Sequence, residues 1–145
     1  MPAFIDANIV VHATGSDDQL KLACRTVLEL AGDQPGACVT SAEVLQELLH
    51  VGLRRGRLQR VSEMLESCLL AVSGAVEPVH GSDVLWAYAQ APVNSLQARD
   101  LVHLAVMNRL GITAIVSSDR AFDRVQGIAR LDPLELDSWR SSVFA

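Results

Sequence analysis

Short apolar, β-prone runs alternate with stretches of helical periodicity along this chain, and that alternation constrains the fold more than any other feature. Ala3-Phe4-Ile5, Ala37 to Thr40, Val76 to Val79, Ile112 to Val116 and Ile128 to Leu131 read as strands. Between them, Gln19 to Ala31 carries Leu20, Ala23, Val27, Leu30 and Ala31 at helical spacing, with Gly32 as its stop. Asn8 caps a turn through Val11, and Ser41 stands as N-cap to a helix from Ala42 to Arg54. A further helix, Leu58 to Val72, turns Val61, Met64, Leu65 and Cys68 inward. Ser82 caps a helix through Ala89 that Pro92 breaks, and a helix from Ser95 to Leu110 closes on Gly111. The tail from Pro133 forms a short helix. Such alternation predicts an α/β fold: a short, mainly parallel central sheet with helices on both faces. Ligands of such sheets bind beyond the carboxyl ends of the strands. With 145 residues and no linker, repeat or low-complexity tract, the chain reads as one domain over 1–145.

Composition removes several classes of function. Half of the residues are hydrophobic, which excludes intrinsic disorder. Twelve Lys and Arg stand against 17 Asp and Glu, a net charge of −5 that argues against a basic module coating phosphates. Cys24, Cys38 and Cys68 are an odd count without CxxC spacing, so they read as small buried hydrophobes rather than disulfides or a zinc site. The amino terminus has no basic leader, and the longest apolar stretch is interrupted at Ser73-Gly74, short of the ~18 residues a span needs. The expectation is a soluble, cytoplasmic protein with no membrane partner.

The acids are distributed unusually. Asp6 follows Ala3-Phe4-Ile5 and Asp119 follows the Ile112 to Val116 strand, so both project from the carboxyl edge of a parallel sheet. Each alone is equally well a turn aspartate. Asp100 shares a helical stripe with Leu96, Leu104 and Met107, and an ionised carboxylate on so apolar a helix needs a partner or a metal. Arg99 and Arg109 lie off that stripe. Of the helical pair Glu43 and Glu47, Glu47 lies about 40° from Val51 at the edge of the apolar arc, whereas Glu43 reads as a solvated first-turn acid. Four such acids form a cluster whose mutual repulsion raises their pKa values. A hard divalent cation relieves it, and oxygen-only ligands select Mg²⁺ or Mn²⁺ over zinc. His12, His50, His80 and His103 show no metal-binding spacing; His103 lies near the Asp100 stripe, but a satisfied core or surface histidine is the better reading of all four.

The segments FIDANIVVHA, VTSAEVLQELLH, ARDLVHLAVMNRLG, IVSSDRAFDRV and IARLDP, in this order, resemble the PIN-domain ribonucleases, and among them the toxins of bacterial VapBC toxin–antitoxin pairs. The resemblance spans nearly the whole chain. It implies that Asp6, Glu47, Asp100 and Asp119 are the catalytic, metal-binding acids, with Asn8 and Ser117 supporting them. Asp123 is an auxiliary acid on this reading and equally a solvated helix aspartate. Ser-Ser-Asp stands where many relatives carry a Thr in the triplet, a conservative departure. The implied activity is endoribonucleolytic hydrolysis of an RNA phosphodiester by water activated at one or two Mg²⁺ or Mn²⁺ ions, leaving 5′-phosphate and 3′-hydroxyl ends. A cognate antitoxin protein and a homodimer are implied as partners.

Four arginines, Arg54, Arg55, Arg57 and Arg60, follow the Glu47 helix and are expected to line the approach to the metal site and contact RNA phosphates. The plain alternative is a solvated helix end, which suits Arg54 and Arg55 best. Two other functions compete. A phosphoaspartyl receiver or phosphohydrolase wants a Lys at a late strand end, yet the only lysine is Lys21. A catalytically silent PIN fold, acting as an RNA-binding or scaffold protein, has no use for four costly carboxylates.

Overall fold

The computed structural model describes residues 1–16 and 18–145. Strands β1 (Ala3–Ile5), β2 (Cys38–Ser41), β3 (Val76–Glu77), β4 (Ala114–Val116) and β5 (Ala129–Leu131) form one sheet in the order β3-β2-β1-β4-β5, every pairing parallel. Phe4 sits opposite Val39 on one side and Ile115 on the other. The chain builds outward from β1 through β2 to β3, then returns to add β4 and β5 on the opposite side. The direction therefore reverses between β1 and β4, and the crevice beyond their carboxyl ends is where such a sheet holds a ligand. Asp6 ends β1 there, and Ser117 to Asp119 follow β4.

Among the described residues seven helices flank the sheet: α1 (Ala7–Ala13), α2 (Gln19–Asp33), α3 (Ala42–Arg54), α4 (Leu58–Ala71), α5 (Gly81–Gln90), α6 (Ala98–Leu110) and α7 (Leu136–Val143). The first four pack on one another, and α5 pairs with α6. Phe4, Ile5, Ile9, Leu48, Met64, Met107, Ile115 and Phe122 fill the centre with no exposure, each contributing about 1.5–3 kcal/mol of burial. The three cysteines lie in this core and burial pushes each thiol up to about 12, so they behave as inert hydrophobes. Among the described residues no helix is long and apolar enough to cross a membrane.

The boundaries depart from the sequence expectation where a tertiary contact overrides a local signal. Asp6, not Asn8, caps α1, its Oδ1 accepting the Ala7 N–H at 2.8 Å. Helix α2 runs through Gly32, which lies against the Leu70 carbonyl of α4, and the turn falls at Gly36 with φ +90°. Pro78 follows β3, which is only two residues long. His80 rather than Ser82 caps helix α5, because Asp83 reaches back to accept the His80 N–H at 2.8 Å. Helix α6 starts three residues later than Ser95 suggests: the Leu96 N–H bonds back to the Asn94 carbonyl at 2.8 Å, and Gln97 takes the cap position in extended backbone. Gly111 closes α6 at φ +71°, as its position predicts.

Candidate active site

The strand ends present the first half of the site. Asp6 is 3% exposed, yet three donors hold it: the Ala7 N–H at 2.8 Å, Asn8 Nδ2 at 2.9 Å and Ser117 Oγ at 2.7 Å. Ser117, fully buried at the end of β4, accepts from Asn8 Nδ2 and from the Asp119 N–H, both at 3.0 Å, while its own proton goes to Asp6. Asn8 Oδ1 accepts the Ser118 N–H at 3.1 Å. One hydroxyl and one amide thus tie the ends of β1 and β4 together and fix the Asp6 carboxylate. Asp119 is exposed and caps a 3-10 turn (Arg120–Arg124) by accepting the Ala121 N–H at 2.9 Å.

The helices present the second half. Glu47 of α3 is buried, with Oε1 2.6 Å from His103 Nε2 of α6 and Oε2 3.6 Å from Arg99 Nη1. His103 Nε2 is also 3.7 Å from Asp6 Oδ1, so the imidazole bridges two acids carried by different layers. Asp100, one turn earlier on α6, is half-buried. All four acids expected from the sequence line one open cleft of about 470 Å³, together with Asn8, Arg99 and Arg124.

The electrostatics follow from crowding. Burial raises the Asp6 pKa, Glu47 adds to the rise, and His103 and the Ser117 hydrogen bond only moderate it. Burial and the charges of Asp6, Glu47 and Asp119 push Asp100 up to about 6. Burial would lower His103, but the Glu47 bond and the acids Asp6 and Asp100 reverse this, and its pKa is raised. Through Nε2 the imidazole hydrogen-bonds the Glu47 carboxylate, the acceptor of that contact. One ligand atom each from Asp6, Glu47 and His103 lies within 4.8 Å of the others, a spacing compatible with a metal ion. The carboxylates of Asp6 and Glu47 are close enough to share a divalent cation, and Asp100 and Asp119 line the same cleft outside that close group.

Some expected residues lie elsewhere. Asp123 is not in the cleft; it is an exposed partner of Arg130, at 2.8 and 3.3 Å, and that guanidinium lowers its pKa. Arg130 also donates to the Ser117 carbonyl at 3.0 Å, so the pair braces the β4 end from behind. Arg54, Arg55 and Arg57 are exposed at the far end of α3, with Arg54 about 10 Å along the helix axis from Glu47, and they do not line the cleft. Helix α3 starts at the carboxyl edge of β2 and runs away from the site. Arg60 is tied to the α1 end, donating to the Val11 carbonyl at 3.1 Å. The cations of the cleft are Arg99 and Arg124 instead. His103 is a core histidine, as its sequence reading favoured, and its place on the Asp100 stripe was the available sign that it also belongs to the site. Arg99 gave no sign, because its partner Glu47 comes from another helix.

The sequence profile of the PIN domain family matches residues 3–128. Ribonuclease VapC13 of Mycobacterium tuberculosis is 35% identical over 128 residues, covering 88% of this chain and 97% of that protein. Ribonuclease VapC23 of the same species is 37% identical over 121 residues, covering 80% and 91%. Among solved structures, VapBC2 from Rickettsia felis bound to a promoter DNA fragment superposes with a TM-score of 0.70 at 14% identity, covering 90% of this chain and 98% of that one. A toxin–antitoxin complex from Klebsiella pneumoniae superposes with a TM-score of 0.63 at 16% identity, covering 90% and 97%. These structural likenesses concern the fold.

Proposed function

The chain belongs to the PIN domain family, and from that premise we propose that it is an endoribonuclease, the toxin of a toxin–antitoxin pair. It hydrolyses RNA phosphodiester bonds with Mg²⁺ or Mn²⁺ held by Asp6, Glu47, Asp100 and Asp119. The observation that carries this reading is that four acids line one cleft, with His103 hydrogen-bonded to Glu47, at the point where strand order reverses. When bound, a divalent cation supplies acidification of an attacking water and offsets charge on the phosphate oxygens.

The chain's own residues do the rest. Ala7, Asn8 and Ser117 hold Asp6 in one orientation, so its oxygens are positioned before any ligand arrives. His103 keeps its proton on Nε2 and fixes Glu47 Oε1, leaving Oε2 to face the cleft and Arg99. Arg99 and Arg124 offer the scissile and neighbouring phosphates the positive charge that a protein of net −5 otherwise lacks. A cognate antitoxin fits the same cleft by placing a basic side chain on the acids, and the toxin works as a cytoplasmic homodimer on this reading.

The test is to sequence RNA ends after incubation with the protein, with Asp6→Asn and EDTA as controls. New 5′-phosphate ends made by the parent and absent in both controls are expected. Equal cleavage by Asp6→Asn, or cleavage undiminished in EDTA, overturns the assignment.

A further inference from the structure

The acid cleft does not end at the acids. A narrower neck continues from it, sharing Leu96, Ala121 and Arg124 with the cleft. The neck in turn shares Val93, Asn94 and Val125 with a cavity of about 420 Å³ between α5, α6 and the loop before β5. Cleft, neck and cavity therefore lie side by side, each sharing wall residues with the next. Helix α6 measures their spacing: Asp100 lines the cleft, Leu104 and Asn108 line the cavity. At 1.5 Å per residue these lie about 6 and 12 Å beyond Asp100 along the axis. A stacked strand rises about 3.4 Å per nucleotide, so the cavity is a few nucleotides from the acids.

The chemistry of the cavity differs from that of the cleft. Among the described residues no acid lines it; its wall offers the Trp86 indole together with the amides of Gln90, Asn94, Asn108 and Gln126. Each amide has donor and acceptor atoms, the set that reads the edge of a nucleobase, and an indole supplies a face or edge for the ring to pack on. Arg124, where cleft meets neck, offers a cation to the backbone between the two. The cavity volume falls within the range of small-ligand sites.

We propose that this cavity is a base-reading subsite for single-stranded RNA, taking one unstacked base a few nucleotides from the cleaved bond and setting the sequence preference of the enzyme. The proposal rests on the nuclease reading of the cleft and adds where the substrate's sequence is read. Single-stranded rather than duplex RNA is the occupant, because a base must leave its stack to enter a pocket.

The test uses the full chain, randomised single-stranded RNA, and two readouts. The exposed residues Asn108 and Gln126 are replaced as Asn108→Ala and Gln126→Ala, which leaves the core untouched. In sequenced cleavage ends, the parent is expected to prefer one base at a fixed offset from the cut. Each variant is expected to flatten that preference and to lower kcat/KM on the preferred sequence about tenfold. Ultraviolet crosslinking with mass spectrometry is expected to join RNA to Trp86 or its neighbours. Unchanged end profiles in both variants, or cleavage with no crosslink in the cavity, overturn the subsite. Crosslinks in the cavity of a parent protein that does not cleave support the subsite and overturn the nuclease reading.

Discussion

A buried carboxylate with a raised pKa is a liability in the folded state, and Asp100 shows how large. Its pKa rises from 3.8 to about 6 on folding. The folded chain therefore holds this proton more tightly than the unfolded one, and stability falls as pH climbs from about 4 through about 6. In EDTA, Asp100→Asn is expected to be more stable than the parent above pH 6 by about 1–3 kcal/mol, with no difference at pH 3.5. Thermal melts across that range check it; a parent that gains stability between pH 4 and 6 relative to the variant contradicts it. Activity moves the other way, since Asp6→Asn and Asp119→Asn are each expected to lower RNA cleavage by at least 10²-fold with the circular dichroism spectrum unchanged. The same costliness made Asp100 legible in the sequence, because an acid on an apolar stripe demands an explanation. Glu47 was separable from Glu43 by its angle to the apolar arc. Arg60 was not legible: its partner is a backbone carbonyl 49 residues away, and no local pattern encodes that.

At the scale of elements, two contacts set how the helices approach one another. Helices α3 and α4 meet at Gly52, where an added Cβ would stand 2.0 Å from Val61 Cγ2. Valine is stiff at χ1, so the clash moves the backbone rather than the side chain. Gly52→Ala is expected to destabilise by about 1–2 kcal/mol, overpacking outweighing the better helix propensity of alanine; an unchanged urea midpoint refutes the close approach. Helices α5 and α6 are clamped by Asp83, which accepts from Arg109 at 3.1 and 3.2 Å and from the His80 N–H. Burial opposes ionisation of Asp83, but these bonds prevail and its pKa is lowered. Its contribution is present above the ordinary carboxylate pKa and is lost as pH falls through the lower folded value. Asp83→Asn is expected to cost about 1–3 kcal/mol at pH 7 and progressively less as pH falls below the ordinary carboxylate range; a loss independent of pH would show that charge is not the cause. Periodicity and capping residues placed most of the helices, whereas several of their ends depended on partners such as Leu70 behind Gly32, which propensity does not see.

At the scale of the whole molecule, alternation of strand and helix made a parallel α/β sheet legible. The order β3-β2-β1-β4-β5 was not, because pairing depends on contacts between strands far apart in sequence. That order brings Asp6 to Asp119 and leaves the arginine run of α3 on a different part of the surface. The charge pattern has a measurable consequence. If Arg99 and Arg124 are the cations that meet the RNA backbone, two phosphates are neutralised. At fixed Mg²⁺, log K for a single-stranded oligomer then falls against log salt with a slope of about −1.4, at about 0.7 per phosphate. Arg124→Gln is expected to bring the slope to about −0.7, while Arg55→Gln leaves it unchanged. Fluorescence anisotropy titrations between 50 and ~300 mM KCl decide this, in a salt range where phosphate contacts dominate. A parental slope of about −3.5, as five arginines would give, together with a response to Arg55→Gln, would return Arg54, Arg55 and Arg57 to the RNA path and displace the cleft arginines as its sole guides.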